Sequence, residues 1–192
     1  MFDTTQGFVL YLIVTIVDLY LFVLAIRFVL AWERANYFNP VTQFIIKLTQ
    51  PIVAPVRKLI PTQAGIEFST LAWLIVISAI KFFIILSFST SLPNGLGILI
   101  LAIADILKTF AKLFFYAIFL QAILSWFQPT NTPALQVLNQ ITQPILRPLR
   151  RFIPPVSMLD LTAFFALILL QIVDIFILSG LTNFGYQIAI GH

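Results

Sequence analysis

A fourteen-residue run, LTQPIVAPVRKLIP at 48–61, returns 93 residues later as ITQPILRPLRRFIP at 141–154. Eight of the fourteen positions are identical and no gap is needed. Most other positions change like for like, as in Lys58/Arg151 and Val56/Leu149. The chain therefore reads as a tandem repeat, with one copy in 1–95 and the other in 96–192. Each copy sets a proline-punctuated basic segment between two apolar stretches.

Charge scarcity fixes the solvent. Only 9% of the 192 residues are charged and 60% are hydrophobic, with a mean hydropathy of +1.04. A soluble domain carries roughly 25% charged residues, so this composition predicts an integral membrane protein. The net charge of +4 does not point to nucleic acid. Seven of the eleven Lys and Arg (Arg34, Lys47, Arg57, Lys58, Arg147, Arg150, Arg151) fall in two central loops, as membrane orientation requires. The absence of cysteine excludes disulfides and thiolate metal sites, and one histidine, His192, builds no metal site alone. The N-terminus lacks a basic n-region and a cleavage motif, and does not read as a signal peptide.

Four spans are expected, at about 8–32, 68–88, 102–126 and 161–178. The apolar run 96–127 is too long for one crossing; aligning Trp32 with Trp126 places the third span at its end. The predicted fold is an all-α membrane protein of four transmembrane helices, built as two parallel tandem repeats of helix, proline-rich basic interfacial loop and helix. The positive-inside rule puts loops 33–67 and 127–160 in the cytoplasm and both termini outside.

Within the loops, 41–48 has helical spacing. Pro51 and Pro144 are expected to end the short helix before them, and Pro55 and Pro148 to break the chain a turn later. Arg57, Lys58, Arg150 and Arg151 then sit beside small apolar faces, which suits the headgroup zone. They serve either as orientation-setting charges or as an interfacial or re-entrant element facing lipid or a partner.

Intramembrane charges are functional candidates. Asp18 aligns with Lys112 and Lys81 with Asp174, charge-reversed between the copies. All four lie about 20 Å from the cytoplasmic edge at 1.5 Å per residue. They are expected to face the interior and pair, most simply Asp18 with Lys112 and Lys81 with Asp174, other pairings within the set remaining open. The set is either a neutral structural cluster or part of an ion or proton path. Arg27, five residues from Trp32, is expected to snorkel to the interface, and Asp105 to pair with Lys108 or water. No catalytic constellation, cofactor motif or metal cluster can be assembled, so an enzyme is not expected.

These residues resemble the YggT (YlmG-like) family of small bacterial and plastid membrane proteins. Copy one supplies Arg27, Ala31-Trp32, Asn39-Pro40, the run from Thr49 through Pro51 and Pro55 to Pro61, and Glu67-Phe68-Ser69. Copy two supplies Ser125-Trp126, the run from Thr142 through Pro144 and Pro148 to Pro154, and Asp160-Leu161-Thr162, with Gln121 in place of the Arg. The resemblance implies a bacterial inner-membrane protein without defined enzyme activity. It also implies links to osmotic and potassium homeostasis, and in relatives to cell division or cofactor assembly. The partners this implies are the lipid bilayer and another membrane protein or a second copy of the chain, with no nucleic acid and no small-molecule substrate. A self-contained ion channel or carrier is the weakest expectation.

Overall fold

The structure, a computed structural model, describes residues 4–60, 62, 65–88, 93–126, 132–152 and 161–191, apart from the side chains of 4–6, 125 and 126. Every element within them is helical: α1 (Thr4–Trp32), α2 (Pro40–Arg57), α3 (Phe68–Ser87), α4 (Gly95–Trp126), α5 (Pro133–Phe152), α6 (Leu161–Ile172), a π-helical turn (Val173–Leu178) and α7 (Ser179–Ile190). Three runs are long and apolar enough to cross a membrane: Gly7–Trp32, Phe68–Ser87 and Leu161–Ile190. Their outer faces carry large apolar side chains such as Leu12, Ile16, Leu19, Phe83, Phe164 and Phe176. Such faces suit lipid and would be an aggregation hazard in water.

Two span boundaries differ from the sequence expectation. The last helical run continues to Ile190 rather than stopping at Leu178. The stretch expected to cross at 102–126 belongs to one unbroken 32-residue helix, about 48 Å long. Its first turns are held by α7. The Asn94 N–H donates to the Ala189 carbonyl at 3.0 Å, and Gly97 lies so close to Ala189 that a Cβ there would sit 2.3 Å from its backbone nitrogen. Removing a side chain at this crossing lets two backbones approach, as small residues do between membrane helices.

The prolines also act differently from the expectation. α2 runs through Pro51 and Pro55, and α5 through Pro144 and Pro148. Proline removes one N–H and so frees the carbonyl four residues back. In α2 those carbonyls belong to Lys47 and Pro51, on the exposed side with Pro55. Water or headgroups can satisfy them, so the helix continues. The opposite face buries Thr42, Ile45, Thr49 and Val53, at three- and four-residue spacing. Asn39 caps α2 by accepting from the Val41 N–H at 2.9 Å. Its amide also donates to the Pro133 carbonyl at 2.8 Å, which ties the start of α2 to the start of α5.

The main core joins α1, α4, α5 and α6 through Ala25, Val29, Ile118, Ile141 and Ala166. A second cluster joins α1, α2, α3 and α4 through Leu24, Val53, Leu74 and Ile106. α4 is shared by both, which makes it the axis of the bundle.

The α4–α7 crossing gives a direct test. Gly97→Val should lower stability by about 1–3 kcal/mol through overpacking. Gly95→Ala, where a Cβ meets nothing within 4 Å, should change it by about 0.5 kcal/mol or less. Thermal unfolding in detergent measures both.

Candidate functional site: two ionic clusters and a basic cavity

A buried guanidinium needs acceptors in a plane, and α2 and the start of α3 supply them to Arg27 on α1. Arg27 is 4% exposed. Its Nε and Nη2 donate to Oε2 and Oε1 of Glu67, both at 2.8 Å. Nη1 donates to Thr49 Oγ1 at 2.8 Å and Nη2 also to Gln50 Oε1 at 3.2 Å. Thr70 Oγ1 donates to Glu67 Oε2 at 2.6 Å, and Arg57 Nη1 stands 3.7 Å from Oε1. Arg27 therefore does not snorkel to the surface. A carboxylate at the start of α3 meets it inside, and a bidentate pair satisfies a guanidinium better than a long reach to water. Burial alone would raise the Glu67 carboxyl, but hydrogen bonds from Arg27 and Thr70 and the charges of Arg27 and Arg57 outweigh it and hold the group below its ordinary value.

The second cluster lies deeper and also departs from the expected pairing. Lys81 Nζ donates to Asp18 Oδ1 at 2.7 Å and to Asp105 Oδ2. Ser78 Oγ adds a 2.7 Å bond to the same Asp105 oxygen. Asp105 thus pairs with Lys81, not Lys108. Lys81 is enclosed, whereas the Asp18 side chain is 52% exposed, and Lys112 is exposed on α4. Neither Asp18–Lys112 nor Lys81–Asp174 forms. Lys81 meets Asp18 on the other long helix of its own copy, and Asp105 across the boundary between the copies. Lys112 and Asp174 stand near each other on α4 and in the π-helical turn. They line one cavity of about 170 Å3 with Tyr116 and Gln171, and Asp174 Oδ1 is buried without a hydrogen-bond partner. The charge reversal therefore leaves each copy carrying its own cation and anion.

The expected basic motif is outward. Arg57 is about half exposed, and Lys58, Arg150 and Arg151 are exposed. Leu59 and Phe152 stand beside them with large apolar exposure. Trp32 is exposed at the end of α1. Pro61, Pro154 and the Trp126 side chain lie outside the described residues. In copy two, Gln121 Nε2 donates to Asn139 Oδ1 at 2.8 Å, a neutral contact where copy one has an ionic one.

A cavity of about 530 Å3 opens beside Arg27 and Glu67, walled also by Arg34, Tyr37, Lys47, Gln50 and Arg57. Sequence reasoning passed over Glu67 as an acceptor and Asp105 as a partner of Lys81. The available signal for Glu67 was an arginine and an acid at the same end of neighbouring spans.

The CCB3/YggT family matches the chain over residues 6–88 and 100–181. An uncharacterised protein of Pseudomonas aeruginosa is 34% identical over 178 residues, covering 90% of this chain and 89% of its own. The uncharacterised protein YggT of Escherichia coli K12 is 32% identical over 181 residues, covering 94% and 95%. No solved structure matches the chain.

Removing one partner of a buried ion pair leaves the other charge without compensation, so Arg27→Leu or Glu67→Leu should each cost about 3–5 kcal/mol. The double variant should cost less than the sum. Because the Glu67 carboxyl is depressed in the fold, its stabilisation is complete above the ordinary value of 4.5 and is lost as pH falls through the lower folded value. Unfolding followed in detergent across that range should show this slope in wild type and not in Glu67→Gln. For the deeper cluster, Lys81→Met with Asp105→Asn should be more stable than Lys81→Met alone, as a double-mutant cycle would measure.

Proposed function

The chain belongs to the CCB3/YggT family, and on that premise we propose that it is a non-enzymatic, multi-pass protein of the bacterial inner membrane that supports osmotic and potassium homeostasis through a membrane partner. The observation that carries this reading is the enclosure of Lys81 between Asp18 and Asp105. These charges hold three helices together instead of lining a path, which favours a supporting role over a self-contained channel.

The membrane arrangement proposed with it has four spans, α4 being the fourth. Its charges Asp105, Lys108 and Lys112 are tolerable because α1, α3, α5, α6 and α7 surround much of it. Its remaining face exposes Leu96, Leu99, Ile103 and Leu107 at helical spacing, a stripe suited to lipid. Two parallel repeats then place α2 and α5 together on the cytoplasmic side, where their cations meet the positive-inside rule, and both termini outside. The Asn39–Pro133 hydrogen bond supports placing α2 and α5 on one side.

A second reading is a scaffold or assembly factor in cell division or in cofactor maturation of a partner complex. The exposed Leu59 and Phe152 beside basic residues favour a surface that meets another membrane protein.

A strain lacking the gene should recover slowly from hyperosmotic shock in low potassium, with wild type restoring the rate and Lys81→Met failing to do so. Normal recovery combined with a division or maturation defect supports the scaffold reading. Potassium flux from purified protein in liposomes, lost in Lys81→Met, would overturn both in favour of a channel.

A further inference from the structure

We propose that the cavity beside the Arg27–Glu67 pair binds a phosphate-bearing anion, either the headgroup of an acidic phospholipid or free phosphate, held by Arg34, Lys47 and Arg57. The inference is independent of the homeostasis reading and rests on the charges around the cavity.

Four cations, Arg27, Arg34, Lys47 and Arg57, line this space against one carboxylate, Glu67. That carboxylate is already engaged. Arg27 takes both its oxygens, Thr70 donates to one, and Arg57 stands at 3.7 Å from the other. Arg34 and Lys47 have no ion-pair partner among the described residues. Like charges gathered round a concave space raise the local concentration of anions, and guanidinium groups match phosphate oxygens in geometry. The cavity volume falls in the usual range for small-ligand sites, about 300–1,000 Å3.

One further observation, beside the placement of Arg34, separates this cavity from ordinary orientation charges. The backbone of Arg34 is left-handed, with φ 51°, as the residue after a helix end is in a cap where its N–H meets the Ala31 carbonyl and the Ala35 N–H meets the Leu30 carbonyl. It turns the chain at the end of α1 so that the arginine stem stays on the cavity wall, within 3.8 Å of where a Gly65 Cβ would stand. The observation is that the three cations Arg27, Arg34 and Lys47 align with Gln121, Gln128 and Gln140 in the second copy. Copy two keeps the outward Arg150 opposite Arg57 yet replaces each of these three with a neutral amide. Orientation charges alone would have no reason to divide in that way, whereas a single anion site in one copy would.

The same alignment supplies the variant. Arg34→Gln with Lys47→Gln gives copy one the residues that copy two carries, leaves Arg27–Glu67 intact and alters only exposed side chains. Arg150→Gln with Arg151→Gln removes equal charge away from the cavity. Purified proteins would be compared by native mass spectrometry for retention of phosphatidylglycerol against phosphatidylethanolamine, and by thermal unfolding with and without inorganic phosphate. Wild type and the Arg150/Arg151 variant should retain phosphatidylglycerol in at least about tenfold preference, a preference lost in the Arg34/Lys47 variant. A phosphate-dependent rise in unfolding temperature confined to wild type and the Arg150/Arg151 variant, without lipid preference, assigns the site to free phosphate. Equal behaviour of all three proteins in both measurements would overturn the proposal, as would an equal loss in the two variants.

Discussion

A guanidinium withdrawn from water must be met by acceptors, and few ways of meeting Arg27 exist inside an apolar bundle. The fold recruits two separate elements to do so: the start of α3 through Glu67, and α2 through Thr49 on its buried face and the Gln50 amide beside it. Each bond removes one of the positions that α2 could otherwise take on α1 and α3. An amphipathic helix on apolar surface alone could slide or rotate at little cost. One fixed on a planar charged group has a single register, and its proline-bearing face is then directed outward. The position of the basic cavity follows from the same pair, because Arg27 and Glu67 form its inner wall.

The deeper cluster works by a related rule with different geometry. A lysine ammonium is a compact charge and can be shared by carboxylates from two directions. Asp18 and Asp105 approach Lys81 from α1 and α4, so one cation fixes the mutual placement of three helices. Its counterpart in copy two, Lys112 with Asp174, keeps both charge types beside a small cavity without direct contact. The two copies thus hold similar charge inventories in different states of closure. Copy one is drawn tight by ions at two depths, the deeper set reaching Asp105 on α4 of the second copy. Copy two relies on amide contacts such as Gln121–Asn139 and on the apolar packing of α4 against its neighbours.

The repeat made helix type, rough span positions and the presence of buried charge readable from residues alone. Pairing was not readable, because alignment identifies equivalent residues while contact requires neighbouring ones. Asp18 and Lys112 correspond, on α1 and α4, yet Asp18 meets Lys81 of α3 and Lys112 borders a cavity with Asp174. The prolines misled for a local reason. Pro51 and Pro55 forbid two hydrogen bonds, but they fall four residues apart on the outward face, where the freed carbonyls need no partner from the protein. Glu67 was hidden by its place at a loop end, where an acid ordinarily faces solvent. The reach of α7 to Ile190 was hidden because Ser179, Gly180, Thr182 and Asn183 resemble a polar tail, although Gly185 and Ala189 belong to the α4 contact.

The π-helical turn at Val173–Leu178 accounts for that last contact. Within it, the Ser179 N–H reaches the Asp174 carbonyl five residues back instead of four. A wider turn of this kind delays the phase of every following side chain by roughly one residue, or about 100° around the helix axis. Gly185 and Ala189, which an uninterrupted α-helix would turn away from the side bearing Ala166 and Leu170, are thereby brought round to that same side. The turn works as a rotary coupling: Ala166 and Leu170 face the core before it, and Gly185 and Ala189 face the first turns of α4 after it. The corresponding helix of the first copy, α3, has no such turn. A small change of winding has thus kept one side of the α6–α7 run against the bundle along its whole length, and given it the means to clasp the far end.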